Sequence, residues 1–169
     1  MIFMKNVILL SILLGCSACA SIPTQAHLGF SDERRLVVVG ENVREELALY
    51  YQKKYSALVW FTPHQGKMST TATNFMESGL GLSRAMRVFI HELTSINETI
   101  GRWEIIIPKI AENYFLKALK NMPSRSLTKA RGMIILIDSK GSPDIEAHVK
   151  RVTDGNFFVT YEFQQDMHL

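Results

Sequence analysis

The chain has 169 residues, 47% of them hydrophobic and 21% charged, with 19 Lys and Arg against 16 Asp and Glu. That length is about one domain with enough chain to bury a core, and the near balance of charge argues against a nucleic-acid binder built on a basic surface. Cysteine occurs only at Cys16 and Cys19, so stability after them has to come from core packing and not from disulfides.

The chain opens with a short segment containing Lys5. An apolar run from Val7 to Leu14 follows, then Gly15-Cys16-Ser17-Ala18-Cys19. A basic start, a short apolar stretch and a small residue before the break are the marks of a secretory signal peptide. The run is well short of the roughly 20 residues that a bilayer span requires. Leu13-Leu14-Gly15-Cys16 resembles the lipobox of bacterial lipoprotein signal peptides, in which the cysteine is lipidated after cleavage. The resemblance covers residues 1–16 and implies lipidation of Cys16. Cys19 is the rival, but Leu13 stands three places before Cys16, whereas Cys16 itself stands three places before Cys19. Ser17 occupies the place where aspartate signals retention at the inner membrane. The resemblance therefore implies an outer-membrane anchor facing the periplasm, assuming a diderm bacterium. Cys16-Ser17-Ala18-Cys19 is formally C-x-x-C, but no second pair or strand–helix context supports metal or redox chemistry there.

Removal of Lys5 with the signal peptide leaves 18 basic and 16 acidic residues. The expected division is a signal peptide at 1–15, a flexible tether at 16–31, uncharged and without periodicity, and a single periplasmic domain at 32–169.

Leu36-Val37-Val38-Val39, stopped by Gly40, reads as a buried strand. Asn42, with Glu45 three positions on, has the spacing of a capping box. The helix it predicts carries Val43, Leu47, Tyr50, Tyr51 and Tyr55 at helical intervals. Ala57 to Thr62 reads as a second strand, ended by Pro63. Strand, helix, strand suggests a crossover unit, with an antiparallel return left open. Thr71 to Ser78 has a weaker helical pattern, broken by Gly79 and Gly81. Ser83 caps a clearer helix with Met86, Phe89, Ile90 and Leu93 on one face. Trp103 to Ile107 is a third strand, and Lys109 to Met122 an amphipathic helix striped by Ile110, Ala111, Tyr114, Phe115, Ala118 and Leu119.

Met133 to Ile137 is an unbroken apolar run, as in a strand covered on both faces. Ile145, Ala147 and Val149 alternate with Glu146, His148 and Lys150, which reads as a half-exposed strand. Asp154-Gly155 between two alternating segments is a hairpin signal, leading into a strand faced by Phe157, Val159, Tyr161 and Phe163. The expected fold is α+β: a two-layer sandwich with a mixed sheet of about six strands, a C-terminal antiparallel meander and about three helices.

No complete catalytic signature stands in the chain. His91-Glu92 resembles half of a zinc-protease helix, but Ser95 occupies the second histidine position, and His91 lies on a polar face with Arg84 and Arg87. Gly66-Lys67-Met68-Ser69 lacks the first glycine of a phosphate loop, where Phe61 stands, and lacks Ser or Thr directly after the lysine. Gly79-Leu80-Gly81-Leu82-Ser83 is no nucleophile elbow. His27, His64, His148 and His168 are scattered, and Asp138 and Asp144 flank a turn. No metal or cofactor is implied.

Between 109 and 131 the chain has six basic residues, Lys109, Lys117, Lys120, Arg125, Lys129 and Arg131, against Glu112. They form a candidate contact patch for lipid headgroups, an acidic glycan or an acidic protein; a solvated helix face followed by a soluble loop is the simpler and favoured account of them. The expected function is a membrane-anchored envelope lipoprotein without enzymatic activity. It would be an accessory or assembly subunit of a secretion, conjugation, pilus or surface-polymer apparatus, with protein partners in the envelope. A lipid- or glycan-binding module and a cell-wall hydrolase are the alternatives.

Overall fold

The computed structural model describes residues 33–64, 81–99 and 101–164. The strands are β1 (Glu33–Val43), β2 (Leu58–Pro63), β3 (Arg102–Ile107), β4 (Arg131–Ile137) and β5 (Phe157–Glu162). The helices are α1 (Glu45–Tyr55), α2 (Arg84–Ser95), α3 (Glu112–Lys120) and α4 (Pro143–Thr153), with 3-10 turns at Ile96–Glu98 and Lys109–Ala111. The five strands form one sheet in the order β2-β1-β3-β4-β5, and every neighbouring pair is parallel.

The architecture is therefore α/β and all-parallel, not an α+β sandwich with a mixed sheet. The expectation fails at one segment. Ile145, Ala147 and Val149 belong to α4, not to a strand. The Ser142 side chain accepts from the Ile145 amide, Pro143 opens the first turn, and Ile145, Val149 and Val152 form the buried stripe. Asp154 and Gly155, at φ 54° and 83°, end that helix; they do not turn a hairpin. With a helix between β4 and β5 the last two strands run parallel, and the meander disappears.

Parallel pairing suits the strand sequences, because a sheet covered on both faces needs apolar residues at every position. Val37 to Val39, Ile105 to Ile107 and Ile134 to Ile137 are all buried. On one face Val38, Trp60, Ile105, Ile107 and Leu136 pack against α2, α3 and α4, with Phe89, Phe115 and Met86 almost wholly enclosed. On the other, Val37, Val39, Val59, Ile106, Ile135 and Ile137 cluster with Ala48 of α1, joined by half-buried Leu47, Tyr51 and Tyr55.

Smaller departures have local causes. β1 passes Gly40 through two register irregularities and runs to Val43, so Asn42 is a strand residue at φ 54° whose amide donates to Thr62 Oγ1 (3.2 Å). α1 accordingly starts at Glu45 without a side-chain cap. The helix expected from Lys109 begins as a 3-10 turn, which carries Ile110 off the buried stripe to 59% exposure. Phe163 lies beyond β5 and is 69% exposed. At Gly132 the backbones of β3 and β4 approach so closely that a Cβ would stand 1.9 Å from the Trp103 carbonyl oxygen, a spacing only glycine permits. The signal peptide, both cysteines, the tether, the pattern at 71–78 and the loop beginning Gly66-Lys67 lie outside the described residues.

Candidate functional site

Open parallel sheets bind ligands outside the carboxyl ends of their strands, at the point where strand order reverses. Here that point lies between β1 and β3. The structure fills it with side chains of its own. Gly40, at φ 114°, lets the Tyr114 ring come within 3.7 Å of where a Cβ would be. Tyr114 accepts a hydrogen bond from Trp60 Nε1 (3.2 Å), and Phe89 packs its ring against both, with centroids 5.2 and 5.3 Å away. Burial drives the Tyr114 phenol far above its ordinary range. Ser83, besides capping α2, donates to the Glu41 carboxylate (2.5 Å). Next to this plug an open depression is lined by Val43, Leu47, Tyr50, Pro63 and His64.

A second cluster joins α1 to the chain after β5. Tyr51 and Tyr55 stack with centroids 6.3 Å apart, and Tyr50 meets Tyr51 edge-on at 5.2 Å. Lys54 lies over the Tyr50 and Tyr55 rings and donates to Tyr50 Oη (3.1 Å) and Gln164 Oε1 (2.6 Å). The Gln164 amide in turn donates to Tyr55 Oη (2.5 Å). Burial raises the Tyr51 phenol, helped by the Tyr55 and Tyr50 phenols, and burial likewise raises that of Tyr55. The helical spacing of these tyrosines is visible in the sequence, but nothing there joins them to Gln164.

The six basic residues do not form one patch. Lys109 stands at the carboxyl edge, paired with Glu112 (3.0 Å). The other five lie toward the opposite, amino edge. Lys117 and Lys120 are exposed near the end of α3, Arg125 pairs with Asp154 (3.2 Å), Lys129 leads into β4, and Arg131 begins it. Arginines remote in sequence join them: Arg34 over the Trp103 ring (5.6 Å), Arg35 paired with Glu104 (2.6 Å), and Arg102 beside Arg131 in the ladder. Arg151 has a structural task. Its guanidinium donates to the carbonyls of Leu119 (2.7 Å) and Met122 (2.8 Å), capping the end of α3.

The other candidates remain apart. His91 is exposed on α2, and the Ser95 hydroxyl in the position of a second ligand donates to the Glu92 carbonyl (2.6 Å). His148 accepts from Arg151 Nε (3.3 Å), and His64 is exposed after β2. Asp138 accepts from the Gln164 backbone N–H (2.8 Å), and Asp144 lies in the first turn of α4. His27 and His168 lie outside the described residues. No group of three or more His, Cys, Asp or Glu among the described residues is placed to hold a metal.

Strand order, parallel pairing and helices on both faces define an open, doubly wound α/β protein. Comparison with protein-family models, curated proteins and solved structures finds no match to this chain.

Proposed function

We propose that the protein is a lipid-anchored envelope component, held through Cys16 and acting as an accessory or assembly subunit by presenting its folded body to protein partners. The observation that carries this reading is Leu13-Leu14-Gly15-Cys16 behind an apolar run too short to span a bilayer. The fold supports it in two ways. The chain enters β1 on the amino edge of the sheet, so the anchoring segment joins the body at the edge opposite the Val43–Tyr50–His64 depression. Among the described residues Tyr114, Trp60 and Phe89 pack together beside the crevice where doubly wound sheets hold small ligands, which favours a role in docking over one in small-ligand chemistry. No described helix is long and apolar enough to cross a membrane, so the reading assigns attachment to acyl chains. Two or more such chains give stable anchoring where one is marginal.

The test is the amino end of the mature protein. Mass spectrometry is expected to find acyl groups on Cys16, and Cys16→Ser is expected to leave the precursor unprocessed. An unmodified amino end, or unchanged processing and fractionation in Cys16→Ser, overturns the anchor. The accessory role predicts a stoichiometric partner in mild detergent, and a protein recovered alone counts against it.

A further inference from the structure

We propose that the amino edge of the sheet, on the face covered by α1, docks onto anionic phospholipid headgroups of the bilayer that holds the chain; this rests on the Cys16 anchor and deepens it. The parallel register builds the surface row by row. Arg102 stands opposite Arg131, and in the next row Arg35, Glu104, Met133 and Phe158 lie side by side. All point to the face of α1, because Arg34, Trp103 and Phe157 between them belong to the other face. Arg35 and Glu104 neutralise one another at 2.6 Å.

Arg102 and Arg131 are different. They occupy neighbouring strands about 4.8 Å apart, both are exposed, and neither has an ion pair among the described side chains; the backbone register sets Glu33 on the far side of Arg102. Like charges side by side in a sheet repel, and no ion pair among the described side chains offsets this at Arg131. An array of phosphates relieves the repulsion and matches the forked donors of guanidinium groups.

Beside the arginines, Phe158 is 62% exposed and Met133 is half-buried. An aromatic ring next to basic side chains is the composition of a surface that settles at the headgroup–acyl boundary. A hydrophilic polyanion has no use for Phe158. Exposed Lys117, Lys120 and Lys129 extend the positive field along the same edge. The opposite edge carries Glu45, Glu46, Asp144 and Glu146 in first turns of helices, so attraction to an anionic surface is one-sided. The chain enters β1 on the attracted edge, so the anchoring segment joins the body there.

The experiment uses the full mature chain carrying Phe158→Trp, reconstituted in nanodiscs of brominated phosphatidylcholine with or without phosphatidylglycerol. The emission added by the indole at 158, taken as the difference from the chain with only its native Trp60 and Trp103, is expected to be quenched in discs containing phosphatidylglycerol and recovered in high salt. Each basic residue near an anionic surface is worth about fivefold in the docked-to-undocked ratio. Arg102→Gln with Arg131→Gln should therefore lower that ratio about 25-fold, whereas Lys109→Gln at the far edge should leave it unchanged. Quenching indifferent to both arginines overturns the proposal. So does an indole that stays bright while the arginines bind heparin or an acidic protein. Mass spectrometry of Cys16 in the same sample reads the anchor separately: acylated Cys16 with a bright indole removes the docking surface and keeps the anchor. With unmodified Cys16 the anchor reading falls, and quenching by added vesicles of brominated phosphatidylcholine containing phosphatidylglycerol then decides the docking surface alone.

Discussion

The two faces of the sheet are closed in different ways. Three helices cover one face with large, fully enclosed side chains: Phe89 and Met86 from α2, Phe115 from α3, Ile145 and Val149 from α4. A single helix among the described residues, α1, covers the other. Among the residues of α1 only Ala48 is fully buried, and the helix is held at its margin by tyrosine hydroxyls, Lys54 and Gln164. The first face is secured by depth, where apolar area leaves water completely. The second is secured by a rim of polar contacts over small β-branched residues. The same scarcity of cover leaves Met133 and Phe158 open at the amino edge.

The sharpest way to break this contrast is to cut into each face. Phe115→Ala removes a ring at 0% exposure from the three-helix face and should cost about 3–5 kcal/mol in denaturant unfolding. A loss under ~1 kcal/mol would show that depth is not what holds that face.

Alkaline pH gives the next largest effect. An unfolded tyrosine titrates near its ordinary value of 10.0, whereas buried Tyr114 keeps its proton well above that. Above pH ~10 the unfolded chain therefore binds fewer protons than the folded one, and stability falls as pH rises. The contribution is complete below pH ~10 and declines at up to about 1.4 kcal/mol per pH unit above it. Tyr114→Phe should flatten that limb in pH-dependent unfolding, leaving the smaller part from Tyr51, Tyr55 and Tyr161. A limb unchanged in the variant would assign the alkaline loss elsewhere.

The smallest effect sharpens the other side. Tyr55→Phe removes the hydroxyl that accepts from Gln164 and should cost about 1 kcal/mol. Hydrogen exchange should show the loss first in α1, with α3 unaffected, if the rim opens as a local unit. Uniform loss across both faces would erase the distinction.

Much of this architecture is legible in the residues. The unbroken run Met133 to Ile137 announces a strand covered on both faces, and Ser83 caps α2 as its spacing predicts. α4 is harder, because Ile145 and Val149 satisfy a strand period and a helix period together. Ser142 and Pro143 decide for the helix, and that cue outranks the alternation. Asp154-Gly155 serves a helix end as well as a hairpin, since both need positive φ. One such segment reverses the direction of the last strand and with it the fold class. The basic edge is legible only where it is contiguous, from Lys117 to Arg131. Arg34, Arg35 and Arg102 join it through strand register, which composition does not encode.

Gly132 bears on all of this from between the two arginine-bearing strands. The main chains of β3 and β4 press together there, one residue from Arg102 and Arg131. Any side chain at 132 would meet the Trp103 peptide itself, which no repacking of neighbouring side chains can relieve. Even a methyl group at 132 would force the two strands to shift where they carry Arg102 and Arg131.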